Sequence, residues 1–198
     1  MIVHAYGEHA LLAEVDDPHG VPRLRAALAE VPGVLDAVAG ARTVLVVFAP
    51  GAEARVRAAL DAGESGATPG DSSGSVTIPV VYDGADLGEV ADEVGLTPDE
   101  VIARHSGGRY VVRFCGFSPG FAYLDGLDGR LRVPRRSDPR TSVPAGSVGI
   151  AGEFTGVYPR ASPGGWRLLG HTDTTLWDPA RAEPALLVPG TTVRFEPT

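Results

Sequence analysis

The chain has 198 residues, 43% of them hydrophobic and 21% charged, with a formal net charge of −8; this is the composition of a globular protein of one domain or two small ones. Glycine and proline number 26 and 17, which favours turns and short strands over long helices. No apolar run approaches the ~18 residues of a membrane span, and Met1–Tyr6 carries neither the basic nor the apolar region of a signal peptide, so a cytoplasmic protein with no membrane partner is expected.

All 17 basic residues are arginine. Without lysine there is no Schiff-base nucleophile, no phosphate-loop lysine, no lysine-dependent amidase triad and no biotin attachment point. If the protein serves an ATP-using or biotin-using reaction, another chain supplies those parts. Cys115 is the single cysteine, which excludes an internal disulfide and a cysteine-based zinc site and reads as a buried thiol. Residues 1–107 hold 17 acidic and 6 basic side chains, whereas residues 108–198 hold 8 and 11. The acidic half argues against a nucleic-acid partner; the mildly cationic half suits a small anionic or carboxylate ligand.

In chain order, residues 1–6 and 10–15 read as strands. Residues 18–30 follow as a helix, with Leu24, Ala27, Leu28 and Val31 at helical spacing. Residues 34–38 and 43–48 form a hairpin across Gly40–Arg42, and 53–62 are a second helix. This β-β-α-β-β-α order predicts a small α+β domain over 1–63. Residues 64–75 have no apolar periodicity and read as a linker. The second domain, 76–198, opens with a strand at 76–82 and helices at 86–94 and 97–106. Thr97-Pro98-Asp99-Glu100 has the form of a capping box. Short strands at 109–114, 147–151, 167–169, 186–188 and 192–195, separated by many Gly and Pro residues, predict a β-barrel closed by loops.

Four clusters in this second domain could carry chemistry. Gly116-Phe117-Ser118-Pro119-Gly120-Phe121-Ala122-Tyr123 is either a core-plugging turn or an aromatic wall with free backbone N–H groups. Arg135, Arg136 and Arg140 stand among prolines, either as a solvated face or as guanidinium groups preset for a carboxylate or phosphate. Ser162-Pro163-Gly164-Gly165-Trp166 is a structural turn or an oxyanion-type loop. His105, at the end of a predicted helix, is a structural histidine or a proton relay. No Ser/His/Asp order, nucleophile elbow or histidine spacing for a metal is present.

Taken in order, these stretches resemble the family of 5-oxoprolinase B subunits, also labelled allophanate hydrolase subunit 1, which includes the Kip-type inhibitor of a sporulation sensor kinase. The matching residues are Gly116-Phe117-x-Pro119-Gly120-Phe121-x-Tyr123-Leu124, Pro134-Arg135 with Pro139-Arg140, and Val143 to Val148. Ile150-Ala151-Gly152, Thr155 to Pro159 and Ser162 to Trp166 continue the match. The resemblance implies an α+β N-terminal domain plus a C-terminal cyclophilin-like β-barrel. It implies a companion, the C-type subunit (allophanate hydrolase subunit 2). With a third, lactam-utilisation subunit it implies the ATP-dependent conversion of 5-oxoproline to glutamate, or the reaction of a related urea- or allophanate-metabolising amide complex. Fused relatives form the carboxyltransferase part of urea carboxylase. No cofactor is expected on this chain; ATP and Mg would serve the whole complex. The alternative reading is a binding regulator that inhibits a sensor histidine kinase without catalysis. For the enzyme reading, His105 is expected as proton carrier. Phe117, Gly120, Phe121, Tyr123, Arg135, Arg140, Ser162, Gly164, Gly165 and Trp166 are expected to line one substrate pocket facing the partner. Three positions depart from the family pattern: Ser118 replaces an apolar residue, and His171 and Asp173 stand where a basic residue and a proline are expected.

Overall fold

A computed structural model describes residues 1–63 and 74–198, and the chain divides into two compact units, Met1–Gly70 and Asp71–Thr198. The linker expected over 64–75 lies, up to residue 73, outside the described residues; Ser75 already belongs to a strand.

The first unit runs β1 (Ile2–Ala5), β2 (Ala10–Glu14), α1 (Gly20–Ala29), β3 (Val34–Ala39), β4 (Thr43–Phe48) and α2 (Glu53–Gly63). Its antiparallel sheet has the order β1-β2-β4-β3. Alternation along β2 and β4 sends Leu11, Ala13, Val44, Val46 and Phe48 to one face. Val21, Leu24 and Leu28 of α1 and Val56 and Leu60 of α2 meet them in one core. These helices bury a stripe set by the 3.6-residue period against a face set by the two-residue period.

The second unit contains β5 (Ser75–Val80), α3 (Leu87–Val94), α4 (Pro98–Ser106), β6 (Tyr110–Cys115), β7 (Ala122–Asp125), β8 (Arg140–Val143), β9 (Ser147–Ala151), β10 (Phe154–Val157), β11 (Ser162–Gly164), β12 (Arg167–His171) and β13 (Thr192–Pro197). Seven strands form a sheet of order β12-β9-β10-β7-β6-β13-β5. The pairing is antiparallel except between β13 and β5. The two edges then meet: Val81 and His171 exchange backbone hydrogen bonds of 2.9 Å each way, so the sheet closes into a barrel. The interior is filled by Ile78, Val80, Leu124, Ile150 and Val193 among others, and α3 and α4 add Val90, Ala91 and Val101. The expected capping box of α4 forms: the Glu100 N–H donates to Thr97 Oγ1, and the Thr97 N–H donates to Glu100 Oε2 at 2.8 Å.

The strand expected at 186–188 is absent. Leu187 is buried in the barrel core, but the stretch is a loop, its Leu186 N–H bonded to the Leu176 carbonyl at 2.9 Å beside an isolated bridge of Trp177 with Ala185. Strands β7, β8, β10 and β11 have no counterpart in the sequence reading; they are three or four residues long, too short to show alternation.

Closure leaves no room at Gly170, where a Cβ would collide with the Val81 carbonyl oxygen. Gly170→Ala is expected to lower unfolding stability by about 2 kcal/mol or more in urea titration. Gly88→Ala, in α3 with open space around it, is expected to leave stability unchanged or raise it by up to about 1 kcal/mol.

Candidate functional site

The barrel brings three of the four sequence clusters together. β8 pairs with β11, Ser162 opposite Val143 and Gly164 opposite Arg140, so the arginine segment runs beside the Ser162–Trp166 loop. The Arg136 N–H donates to the Gly165 carbonyl at 2.8 Å. The Gly116–Tyr123 loop joins them through Phe121, whose ring stands edge-on to Tyr158 and Trp166, each at 5.3 Å. Phe121, Tyr158 and Trp166 are buried with Val143 and Leu168, while Tyr123 and Phe154 are half-buried against them. The result is an aromatic wall. Gly164 is required there because a side chain would run into the Tyr158 ring.

Phe117 is the exposed member, 59% accessible, and its φ of +67° is the one positive value among the described non-glycine residues. The Ser118 N–H donates to the Gly116 carbonyl at 2.8 Å across it, closing a γ-turn of the rare positive-φ kind. Such a backbone costs on the order of 1–3 kcal/mol and persists where its surroundings over-determine it. Two further bonds do so: the Phe121 N–H to the Ser118 carbonyl and the Gly116 N–H to the Phe121 carbonyl. Gly120, at φ +82°, completes the turn where a Cβ would strike Trp177.

The arginines divide sharply. Asp86 is 1% exposed, and its carboxylate accepts two hydrogen bonds from Arg140, at 2.8 and 2.9 Å, and one from Arg136 at 2.8 Å. A fourth comes from the Leu168 N–H at 2.7 Å. Burial alone would raise this carboxyl. The Arg140 hydrogen bonds, the Leu168 N–H and the two guanidinium charges outweigh it and hold the group below the usual carboxylate range. Arg140, expected to bind substrate, is thus held by a forked internal salt bridge. Arg135 remains exposed and has no ion pair among the described residues.

The structure also corrects the expectation for His105. It is fully buried in the barrel interior, stacked on Phe195 at 4.6 Å. Nδ1 lies 2.7 Å from the Tyr82 hydroxyl and Nε2 lies 2.8 Å from Thr155 Oγ1. Thr155 donates its own proton to the Gly149 carbonyl, so Nε2–H must donate to Thr155 and Nδ1 must accept from Tyr82. Burial lowers the imidazole pKa to about 3. The residue is a neutral core histidine that touches none of the other expected site residues. Val101 and His105, four residues apart, are the buried stripe of α4, and that spacing is the signal that marks it as core.

The Ser162 hydroxyl donates to the Arg160 carbonyl at 3.4 Å. Cys115 is half-buried, its sulfur 3.6 Å from the Leu187 carbonyl. His171 pairs with Asp83 at 2.8 Å, and the Ser118 hydroxyl is tucked into its loop without a partner. Sequence reasoning placed Asp86 only at the start of a helix and did not single out Asp86 or Tyr158 as a site residue. Grooves of 280 and 260 Å³ border α1 in the first unit and touch none of the expected residues.

A seven-stranded barrel carrying this wall, preceded by an α+β unit, is the architecture of a carboxyltransferase domain. The family described as carboxyltransferase domain, subdomain C and D, matches residues 1–187. The chain superposes on the Kluyveromyces lactis urea carboxylase with a TM-score of 0.75, covering 99% of this chain and 21% of that one at 21% identity, which shows the fold. It superposes on TTHA0988 with a TM-score of 0.81 at 37% identity, covering 96% of this chain and 40% of that longer one. It is 45% identical over 208 residues to the 5-oxoprolinase B subunit of Escherichia coli O157:H7, covering 96% of this chain and 93% of the relative. It is 52% identical over 123 residues to that of Bacillus subtilis, covering 61% and 51%. The chain belongs to the family of 5-oxoprolinase B subunits.

Two measurements follow from the buried groups. His105 takes up its proton in the unfolded chain near pH 6.5 but in the native state only near 3. Its contribution is therefore complete above pH 6.5 and is lost as the pH falls toward 3. Between pH 7.5 and 5 it should remove about 2 kcal/mol from urea-unfolding stability; His105→Gln should flatten that dependence. Asp86→Asn leaves two guanidinium groups without their buried counter-charge and should cost about 3 kcal/mol at neutral pH by the same titration. As the folded Asp86 pKa is depressed, its contribution is present above the ordinary carboxylate range and is lost as the pH falls from that range through the folded value.

Proposed function

We propose that this chain is the B-type member of a cytoplasmic complex that opens 5-oxoproline to glutamate with hydrolysis of ATP, and that it acts only together with companion chains. The observation that carries this reading is its 45% identity to a protein named as the B subunit of 5-oxoprolinase, over nearly the whole of both chains. The side-chain chemistry supports it. A lactam is a resonance-stabilised amide, and opening it requires activation of the carbonyl and a water nucleophile. This chain offers no lysine, its barrel histidine is held neutral in the interior, and Arg140 is bound to Asp86. What it offers is an aromatic wall and, beside it in the arginine segment, the guanidinium of Arg135, which has no ion pair among the described residues; these are means of binding and orienting a small substrate. In this reading phosphoryl transfer from ATP belongs to another subunit. The companions are a C-type subunit with a related barrel and a third, lactam-utilisation subunit, and a stable pair should bury well over ~1,000 Å².

Co-expression with the companions, gel filtration and an assay for ATP-dependent glutamate formation test this. The expected result is co-elution with turnover in the complete set and none from the single chain. Turnover by the single chain, or an assembled complex inert toward 5-oxoproline, would overturn it.

A further inference from the structure

We propose that Arg135, with the hydroxyls of Tyr123 and Tyr158, forms a subsite for the carboxylate of a small ring-bearing monoanion whose apolar body lies on the aromatic wall; this rests on the function proposed above and assigns its recognition to three named residues. Of the three arginines in the segment, Arg136 and Arg140 are both bound to Asp86, and Arg136 also reaches Glu89 at 3.5 Å. Arg135 has no acidic partner among the described residues. Its neighbour Arg136 is bonded to Gly165, and Gly164 packs on the Tyr158 ring, so the segment bearing Arg135 runs along the wall. The Arg135 charge acts on both Tyr123 and Tyr158.

The two hydroxyls are donors in waiting. Burial raises both, outweighing the pull of Arg135, so each keeps its proton at neutral pH. Tyr158 is 2% exposed, and its hydroxyl proton has no acceptor among the described residues. Tyr123, stacked on Phe114 at 4.2 Å, likewise has no hydroxyl partner among them. One cation and two neutral O–H donors balance one negative charge, the demand of a carboxylate, and leave a dianionic phosphate undercompensated. The rings of Phe117 and Tyr123 supply an apolar surface beside it. A guanidinium fork fits a planar carboxylate in a way that a lysine ammonium does not.

Calorimetric titration of the full chain with 5-oxoproline, pyrrole-2-carboxylate and the neutral pyrrole-2-carboxamide tests the subsite. Both carboxylates are expected to bind and the carboxamide to bind about tenfold more weakly or worse. Arg135→Gln should abolish that preference with an unchanged melting temperature, and Arg135→Lys should restore part of it. Tyr158→Phe should weaken the carboxylates selectively. Failure of the wild-type chain to bind either carboxylate, equal binding of acid and amide, or wild-type affinity in Arg135→Gln would each overturn the proposal. The reconstituted complex separates this from the broader reading. If it opens 5-oxoproline with a KM unaltered by Arg135→Gln, the subsite falls and the function stands. If it leaves 5-oxoproline intact while Arg135-dependent carboxylate binding persists, the function falls and the subsite stands.

Discussion

The geometry of the barrel surface turns on one buried carboxylate. Asp86 stands immediately before α3, where an aspartate ordinarily caps the helix with its side chain, yet it makes no such bond. It is turned instead onto Arg136, Arg140 and the Leu168 N–H, while its own N–H donates to the Leu168 carbonyl. One residue thereby ties α3, β12 and the arginine segment together. A buried carboxylate is costly to desolvate, and it persists because every lone-pair direction is met by a donor, most of them charged. Two guanidinium groups around one carboxylate leave a residual positive charge, which Glu89 moderates through Arg136 and Arg167. The clamp also decides which arginine stays uncommitted.

The same logic separates inert from available chemistry across the barrel. His105 has both ring nitrogens engaged and no route to solvent, so a group that would ordinarily titrate near neutrality serves as a polar spacer inside an apolar core. Phe117 is the opposite case: an exposed aromatic ring held on a strained backbone that three loop hydrogen bonds maintain. The buried side chains of His105 and Asp86 are fully hydrogen-bonded, whereas the Ser118 hydroxyl is buried without a partner and Tyr123 carries an unpartnered hydroxyl at the half-buried edge of the wall.

Much of the fold is legible in the residues. The alternation of β2 and β4, the helical spacing in α1 and the capping box at Thr97 are local patterns with one physical solution each, and the structure contains all of them. Short strands such as β8 and β11 are not legible, because three or four residues cannot display a period and their pairing depends on distant partners. The site divides in the same way. The loops that meet at Phe121, Tyr158 and Trp166 are visible as clusters of Gly, Pro and aromatic residues. The fate of each arginine is not, since it depends on an aspartate some fifty residues earlier in the chain. His105 misleads because its position at a helix end draws attention from its place on the buried stripe beside Val101.

The parallel pairing of β5 with β13 joins residues as distant as Ser75 and Thr192, and the strands between them must be made before it can form. During synthesis β5 therefore waits with an open edge, an apolar strand without its neighbour and a template for wrong pairing. The first unit, complete within its own short stretch of chain, has no such delay. The barrel should then be the slower half of folding, governed by contact order more than by stability.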